Sequence, residues 1–268
     1  MRANRLLVIA TCGSLLVAAC SSDDSPGAEG PSSATTPAVE LTVFAASSLT
    51  AAFTQIGSDF EAANPGTTVT FNFGSSGDLA STIETEGTAD VFASASGTYM
   101  DEVSDKVGVS GRADFVQNKL VIITPPDNPA NIASLQDLAK PDVQVVLAAE
   151  GVPVGDYARQ SLESAGIKND VLANVVSNEE DDASVVAKIT AGEADAGIVY
   201  VSDVTSAVAP QVEAVVIPED VNVIATYPIA VVSTSTHAEV AQAFVTYVTG
   251  SEGEATLRDF GFLPPPTS

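Results

Sequence analysis

The chain has 268 residues, 45% of them apolar, with 35 acidic against 10 basic residues and a formal net charge of −25 at pH 7. That balance excludes nucleic acid or an anionic membrane surface bound through a basic patch, because such binding depends on Lys and Arg neutralising phosphates, and no Lys or Arg occurs between Arg5 and Lys106. One His, two Cys and no Trp leave little material for a metal site or for His-dependent catalysis.

Residues 1–20 read as a lipoprotein signal peptide. Arg2 and Arg5 precede a mostly apolar run from Leu6 to Ala19, which ends in Val17-Ala18-Ala19-Cys20. A small residue before a Cys at this place resembles the bacterial lipobox, making Cys20 the expected lipidation site. Cleavage there removes Cys12, so no disulfide is expected, and leaves 8 basic against 35 acidic residues, a net charge of −27. The apolar run is too short and too interrupted to span a bilayer. Residues 21–38 are Ser, Pro, Gly, Ala, Thr and acids without apolar periodicity, the composition of a flexible linker.

From residue 39 strand-like and helix-like runs alternate, the pattern of an α/β fold. Glu40–Ala45 reads as a strand, and Leu49, Phe53, Ile56 and Phe60 repeat at helical spacing until Asn64-Pro65-Gly66 stops them. Thr68–Phe73 alternates as a second strand, and Leu79 with Ile83 marks a helix. Asp90–Ala93 is a short buried strand with a helix near Tyr99–Val103 behind it. Asn118–Thr124, Val143–Leu147, Val175-Val176, Ala196–Tyr200 and Val212–Ile217 read as further strands. Helices are expected after Gly151–Tyr157 and around Val185–Ile189, and two more at Ala238–Val248 and Glu252–Phe260. Pro228 has no N–H for a ladder, so Ile224–Val231 is expected as a crossing segment. Together with Lys119–Thr124 it would form a two-segment hinge. The expected division is 39–117 with 232–268 as one lobe and 118–231 as the other.

Two Ser/Gly turns, Ala45-Ala46-Ser47-Ser48-Leu49 and Phe73-Gly74-Ser75-Ser76-Gly77, lie where a strand gives way to a helix. Helix starts present unpaired N–H groups and a partial positive charge, so two of them aimed at one cleft suit a small oxyanion held by neutral donors. Taken singly, Ser48 and Ser76 would be ordinary caps and Tyr200 a core residue.

The ordered segments TVFAASSLT, FGSSGDLA, ADVFASAS, NKLVIITP, GVPVGDYA, EADAGIVYVSD, YPIAVV and RDFGF together resemble the molybdate-binding proteins of bacterial molybdate ABC transporters, over about residues 40–263. The resemblance implies a type II periplasmic-binding-protein fold, in which two α/β lobes close on molybdate or tungstate without a counter-cation. It implies ligand contacts at Ser48, Ser76, Val154 (through backbone N–H), Asp182 (backbone N–H at a helix start) and Tyr200 (phenol hydroxyl). Asp182 departs from the family, which usually has an apolar residue there, so its carboxylate is expected to cap the helix or to face water. The resemblance further implies an ABC permease as partner; a monomer without cofactor or resident metal is expected, and the lipobox at Cys20 implies lipid anchoring on the outer face of the cytoplasmic membrane.

A hydrolase lacks its parts: the only His, His237, lies in a polar Ser-Thr run, and no G-x-S-x-G elbow or P-loop occurs. The same fold class serves sulfate, phosphate, metal ions and organic acids, so another oxyanion stays open as the alternative. A carboxylate-only cation site at Asp181 and Asp182 also stays open.

Overall fold

A computed structural model describes residues 39–267. The signal, the linker and Cys20 lie outside the described residues.

Nine strands and eight helices alternate from Val39. β1 (Val39–Ala46), β2 (Thr67–Gly74) and β3 (Val91–Ala93) are parallel, with β1 in the middle. The order continues β2-β1-β3-β9-β4-β7-β5-β6, where β8 also pairs with β4. Here β4 is Val109–Thr124, β5 Val145–Ala148, β6 Val175–Glu179, β7 Ala196–Tyr200, β8 Glu213–Val216 and β9 Ile224–Val232. β4 joins two half-sheets. Its first part, to Lys119, runs antiparallel to β9, while Leu120–Thr124 pairs with β7 and β8. β5 and β7, parallel to each other and covered on both faces, are continuously buried.

The helices follow from periodicity. α1 (Thr50–Ala63) buries Phe53, Ile56 and Phe60, and Phe53 meets the rings of Phe115 and Phe244 at centroid distances of 5.9 and 6.1 Å. It stops at Asn64-Pro65-Gly66, where Gly66 takes φ 96°. α2 (Ser76–Glu86), α3 (Gly97–Lys106), α7 (Ala238–Val248) and α8 (Ser251–Asp259) complete the first half. α4 (Pro153–Ser164), α5 (Lys168–Ala173) and α6 (Asp182–Thr190) belong to the second.

One sequence expectation needs correction. Ile224–Val231 is not a free crossing: it is β9, paired with β4 and, at Ile229–Val231, with β3. Residues 224–231, expected in the second lobe, therefore pair with the first half-sheet. Pro228 is tolerated because β4 is irregular opposite it. The register shifts between Asp114, its partner, and Val116, so a β-bulge absorbs the missing donor. The Pro228 carbonyl still accepts from the Ser94 N–H at 3.0 Å.

Candidate functional site

All six parallel strands end at one small pocket, as ligand sites of open α/β sheets do. Its walls are Ala46, Ser47 and Ser48 after β1, Gly74, Ser75 and Ser76 after β2, and Ala95 after β3. Val152, Pro153 and Val154 follow β5, Asp182 follows β6, and Tyr200 ends β7. None of the residues lining the pocket is Lys, Arg or His. Ser48, Ser76, Val154, Asp182 and Tyr200, the five residues expected from sequence, are brought together here.

Three of the helix starts leave their amides available. The turn Ser47–Leu49 that opens α1, the start of α2 at Ser75, and the start of α4 at Val152 have no side-chain cap. In α4, Pro153 occupies the first turn, so the N–H groups beyond it, at Val154 and Gly155, are the ones on offer. Gly155 is required by packing: a Cβ there would lie 2.4 Å from the Ala148 carbonyl oxygen and 2.3 Å from that of Ala149.

Side-chain protons converge with these amides. Ser76 is 1% exposed; its Oγ accepts from the Ala95 N–H at 3.0 Å, which leaves its own proton to donate. Ser48 Oγ lies 3.0 Å from the Tyr227 hydroxyl, and Asn118 Nδ2 donates to that hydroxyl at 3.4 Å and to Ser202 Oγ at 2.8 Å. With Asn118 donating to the Tyr227 oxygen, the Tyr227 proton turns toward Ser48 and frees the Ser48 proton for the cavity. Tyr200 is 1% exposed and its hydroxyl is a buried polar atom without a hydrogen-bond partner among the described residues. Burial holds its pKa well above the usual phenol value, so it remains a proton donor at neutral pH.

Asp182 behaves differently from expectation. Its side chain neither caps α6 nor faces water. Asp181 accepts the capping bond from the Ser184 N–H at 2.7 Å, while Asp182 is 2% exposed in the pocket wall. Its Oδ1 accepts from the Ala183 N–H at 3.1 Å and from the Ser47 hydroxyl across the cleft. Burial first, then the Asp181 charge, pushes its pKa up to about 7, against the pull of local backbone amides. Asp203, whose carboxylate accepts from the Tyr200 N–H at 2.8 Å, is likewise raised well above the carboxylate range by burial and by Asp182.

Sequence reasoning missed Ser47, Asp203, Asn118 and Arg159. Arg159, on α4, is 7% exposed; its Nη1 donates to the Ala148 and Gly155 carbonyls at 2.7 and 2.8 Å, and its Nη2 to Asn178 Oδ1 at 2.7 Å. It pins the turn that carries Val154 from behind. Among the described residues, no group of three or more His, Cys, Asp or Glu could hold a metal ion. His237 lies instead beside Asp90, ahead of β3 and away from these strand ends, with Nδ1 3.5 Å from Asp90 Oδ1.

The family described as "Bacterial extracellular solute-binding protein" matches residues 41–263. The chain belongs to that family. It is 41% identical over 248 residues to the molybdate-binding protein ModA of Mycobacterium tuberculosis, covering 92% of each chain. The Azotobacter vinelandii periplasmic molybdate-binding protein shares the fold at TM-score 0.76 and 19% identity, over 84% of this chain and all of that one. The sulfate-binding protein SubI of Mycobacterium tuberculosis also shares it, at TM-score 0.74 and 18% identity over 84% of this chain and 87% of the other. The architecture is therefore that of the type II substrate-binding proteins, as expected, and the fold alone does not choose among oxyanions. The family is an exported one, and no helix among the described residues is long and apolar enough to cross a membrane.

Proposed function

We propose that the chain captures molybdate, and tungstate with it, in this pocket and delivers it to an ABC permease. One observation carries the reading: uncapped helix starts, the Ser48 and Ser76 hydroxyls and the unpartnered Tyr200 hydroxyl converge on one pocket that has no cation in its walls. Ser48, Ser76, the Val154 N–H and Tyr200 then serve as ligand donors, and Asp182 completes the wall. A tetrahedral dianion accepts several charge-assisted hydrogen bonds, each contributing roughly 1.5–3 kcal/mol, so half a dozen convergent donors offset much of its lost hydration. That relatives are named molybdate-binding proteins supports the choice of anion.

In this reading the two half-sheets act as lobes that close on the guest, and the protein is a monomeric receptor rather than an enzyme, needing no cofactor. Cys20 carries the lipid that holds it at the outer face of the cytoplasmic membrane; mass spectrometry of the cell-derived protein would show a diacylated Cys20 as the first residue. Calorimetric titration with molybdate, tungstate, sulfate and phosphate tests the function. Molybdate and tungstate should bind with similar affinity and the other two far more weakly. Sulfate or phosphate binding as tightly as molybdate would transfer the assignment to that anion.

A further inference from the structure

β4 buries an amide between Val116 and Leu120. Asn118, 0% exposed, stands where the pairing of β4 passes from β9, at Ala225, to β7, where Leu120 meets Tyr200. A buried amide costs free energy unless its polar atoms are paired, and here the pairing runs in one direction. The Lys119 N–H donates to Asn118 Oδ1 at 2.9 Å, which fixes the amide and leaves both Nδ2 hydrogens to donate. Nδ2 donates to Ser202 Oγ at 2.8 Å and to the Tyr227 hydroxyl oxygen at 3.4 Å. Both of these hydroxyls lie against Ser48. Ser202 Oγ donates to the Ser48 carbonyl at 3.4 Å, and the Tyr227 hydroxyl is 3.0 Å from Ser48 Oγ. The rings of Tyr200 and Phe262, each 5.8 Å from that of Tyr227 between centroids, hold the phenol in place.

We propose that Asn118 is a positioning residue: it sets the direction of the hydroxyl hydrogens around Ser48, so that Ser48 Oγ meets the guest as a donor. The proposal rests on the oxyanion reading of the pocket. A serine hydroxyl has one hydrogen. If that hydrogen pointed at Tyr227, Ser48 would turn a lone pair toward the anion, and a donor would become a repulsive contact. By themselves, Ser48 Oγ and the Tyr227 hydroxyl could share their hydrogen bond either way round. The donation from Asn118 decides between the two arrangements, because a hydroxyl that accepts a hydrogen bond becomes a better donor to the next group. The Tyr227 hydrogen therefore goes to Ser48, and the Ser48 hydrogen is left for the pocket that Ser48 lines. Ser202, on the segment after β7, at the same time ties the Ser48 carbonyl to the second half-sheet. One amide thus orients the hydroxyl and anchors the turn of the same residue, although Asn118 itself does not line the pocket.

The test is calorimetric titration with molybdate of the wild type, Tyr227→Phe, Asn118→Asp and the double variant. In Asn118→Asp the carboxylate accepts instead of donating, so it draws the Tyr227 hydrogen to itself and Ser48 donates to Tyr227. Tyr227→Phe should weaken binding by about two- to tenfold in the wild-type background. In the Asn118→Asp background the same change should strengthen binding, because it releases the Ser48 hydrogen to the guest. The added charge is common to both members of that second pair and cancels in the comparison. A residue that merely supported the strand would not reverse the sign. Weakening by the same factor in both backgrounds overturns the proposal and leaves the oxyanion assignment standing. If Asn118→Asp does not fold, Asn118→Leu takes its place: the effect of Tyr227→Phe should then largely vanish, and an undiminished effect overturns the proposal. A wild type that binds no molybdate is the separate failure of the functional reading, and the proposal falls with it.

Discussion

The Tyr99 hydroxyl donates to the Gly151 carbonyl, tying α3 of the first half-sheet to the turn before α4 of the second. The Ser47–Asp182 bond also joins the two halves, at the pocket itself. Removing the hydroxyl with Tyr99→Phe loses one hydrogen bond, worth about 0.5–1.5 kcal/mol. Molybdate release should therefore speed up by about two- to tenfold, with little change in unfolding midpoint. Stopped-flow displacement measures it, and an unchanged release rate would show that this contact takes no part in holding the halves together.

Tyr200→Phe removes the hydroxyl that has no other partner. Affinity for molybdate should fall by roughly 1–3 kcal/mol, the loss for a hydrogen bond to a charged group. Tyr227→Phe acts one step back, through Ser48, and should cost less, about 0.5–1.5 kcal/mol. Equal effects, or the reverse order, would contradict the hydroxyl relay.

Arg159→Met keeps most of the aliphatic stem but leaves the Ala148 and Gly155 carbonyls and Asn178 Oδ1 without their donor. A buried polar group left unpaired costs about 1–3 kcal/mol, so the unfolding free energy should drop by roughly 2–4 kcal/mol. Urea denaturation measures it. An unchanged midpoint would mean that the turn carrying Val154 is held without the guanidinium.

Asp182 also predicts a pH dependence of stability. Its folded pKa, about 7, lies above the unfolded value, so between the two the folded state binds the extra proton. Stability attributable to this group is thus full at low pH and is lost as pH rises toward neutrality. Asp182→Asn removes that loss. At about pH 8 the variant should melt higher than wild type by at least 2–4 °C, the shift that 1 kcal/mol makes in a domain of this size, and near pH 4 the gap should close. A constant difference across that range would count against the raised pKa.

How far the sequence could be read depended on periodicity and chain locality. α1, α7 and α8 announce themselves through helical spacing, and β1, β2 and β7 through alternation or continuous apolar runs. The first half of β4, Val109–Gln117, was not legible, because Ser110, Gly111, Arg112 and Asp114 belong to a polar, bulged strand. Pro228 misled for the same reason: the bulge that accommodates it lies on a different strand, more than a hundred residues earlier. The five pocket residues were legible through the ordered motifs. Asp203 and Asn118 were not, since each acts through a neighbour that only folding brings near. Asp182 was visible as an exception, but its hydrogen bond with Ser47 from the far side of the cleft was not.

The pairing of β3 with β9 joins Val91 to Val231, and everything from β4 to β8 is synthesised between them. A chain emerging from its N-terminus therefore completes the entire second half-sheet while β3 still has an open edge. Such long-range closure slows folding, and unpaired edges recruit other chains. Translocation that holds the polypeptide extended until its last strand has crossed would protect it during that interval. A truncation before Ile224 should instead aggregate, even though every residue lining the pocket is present in it.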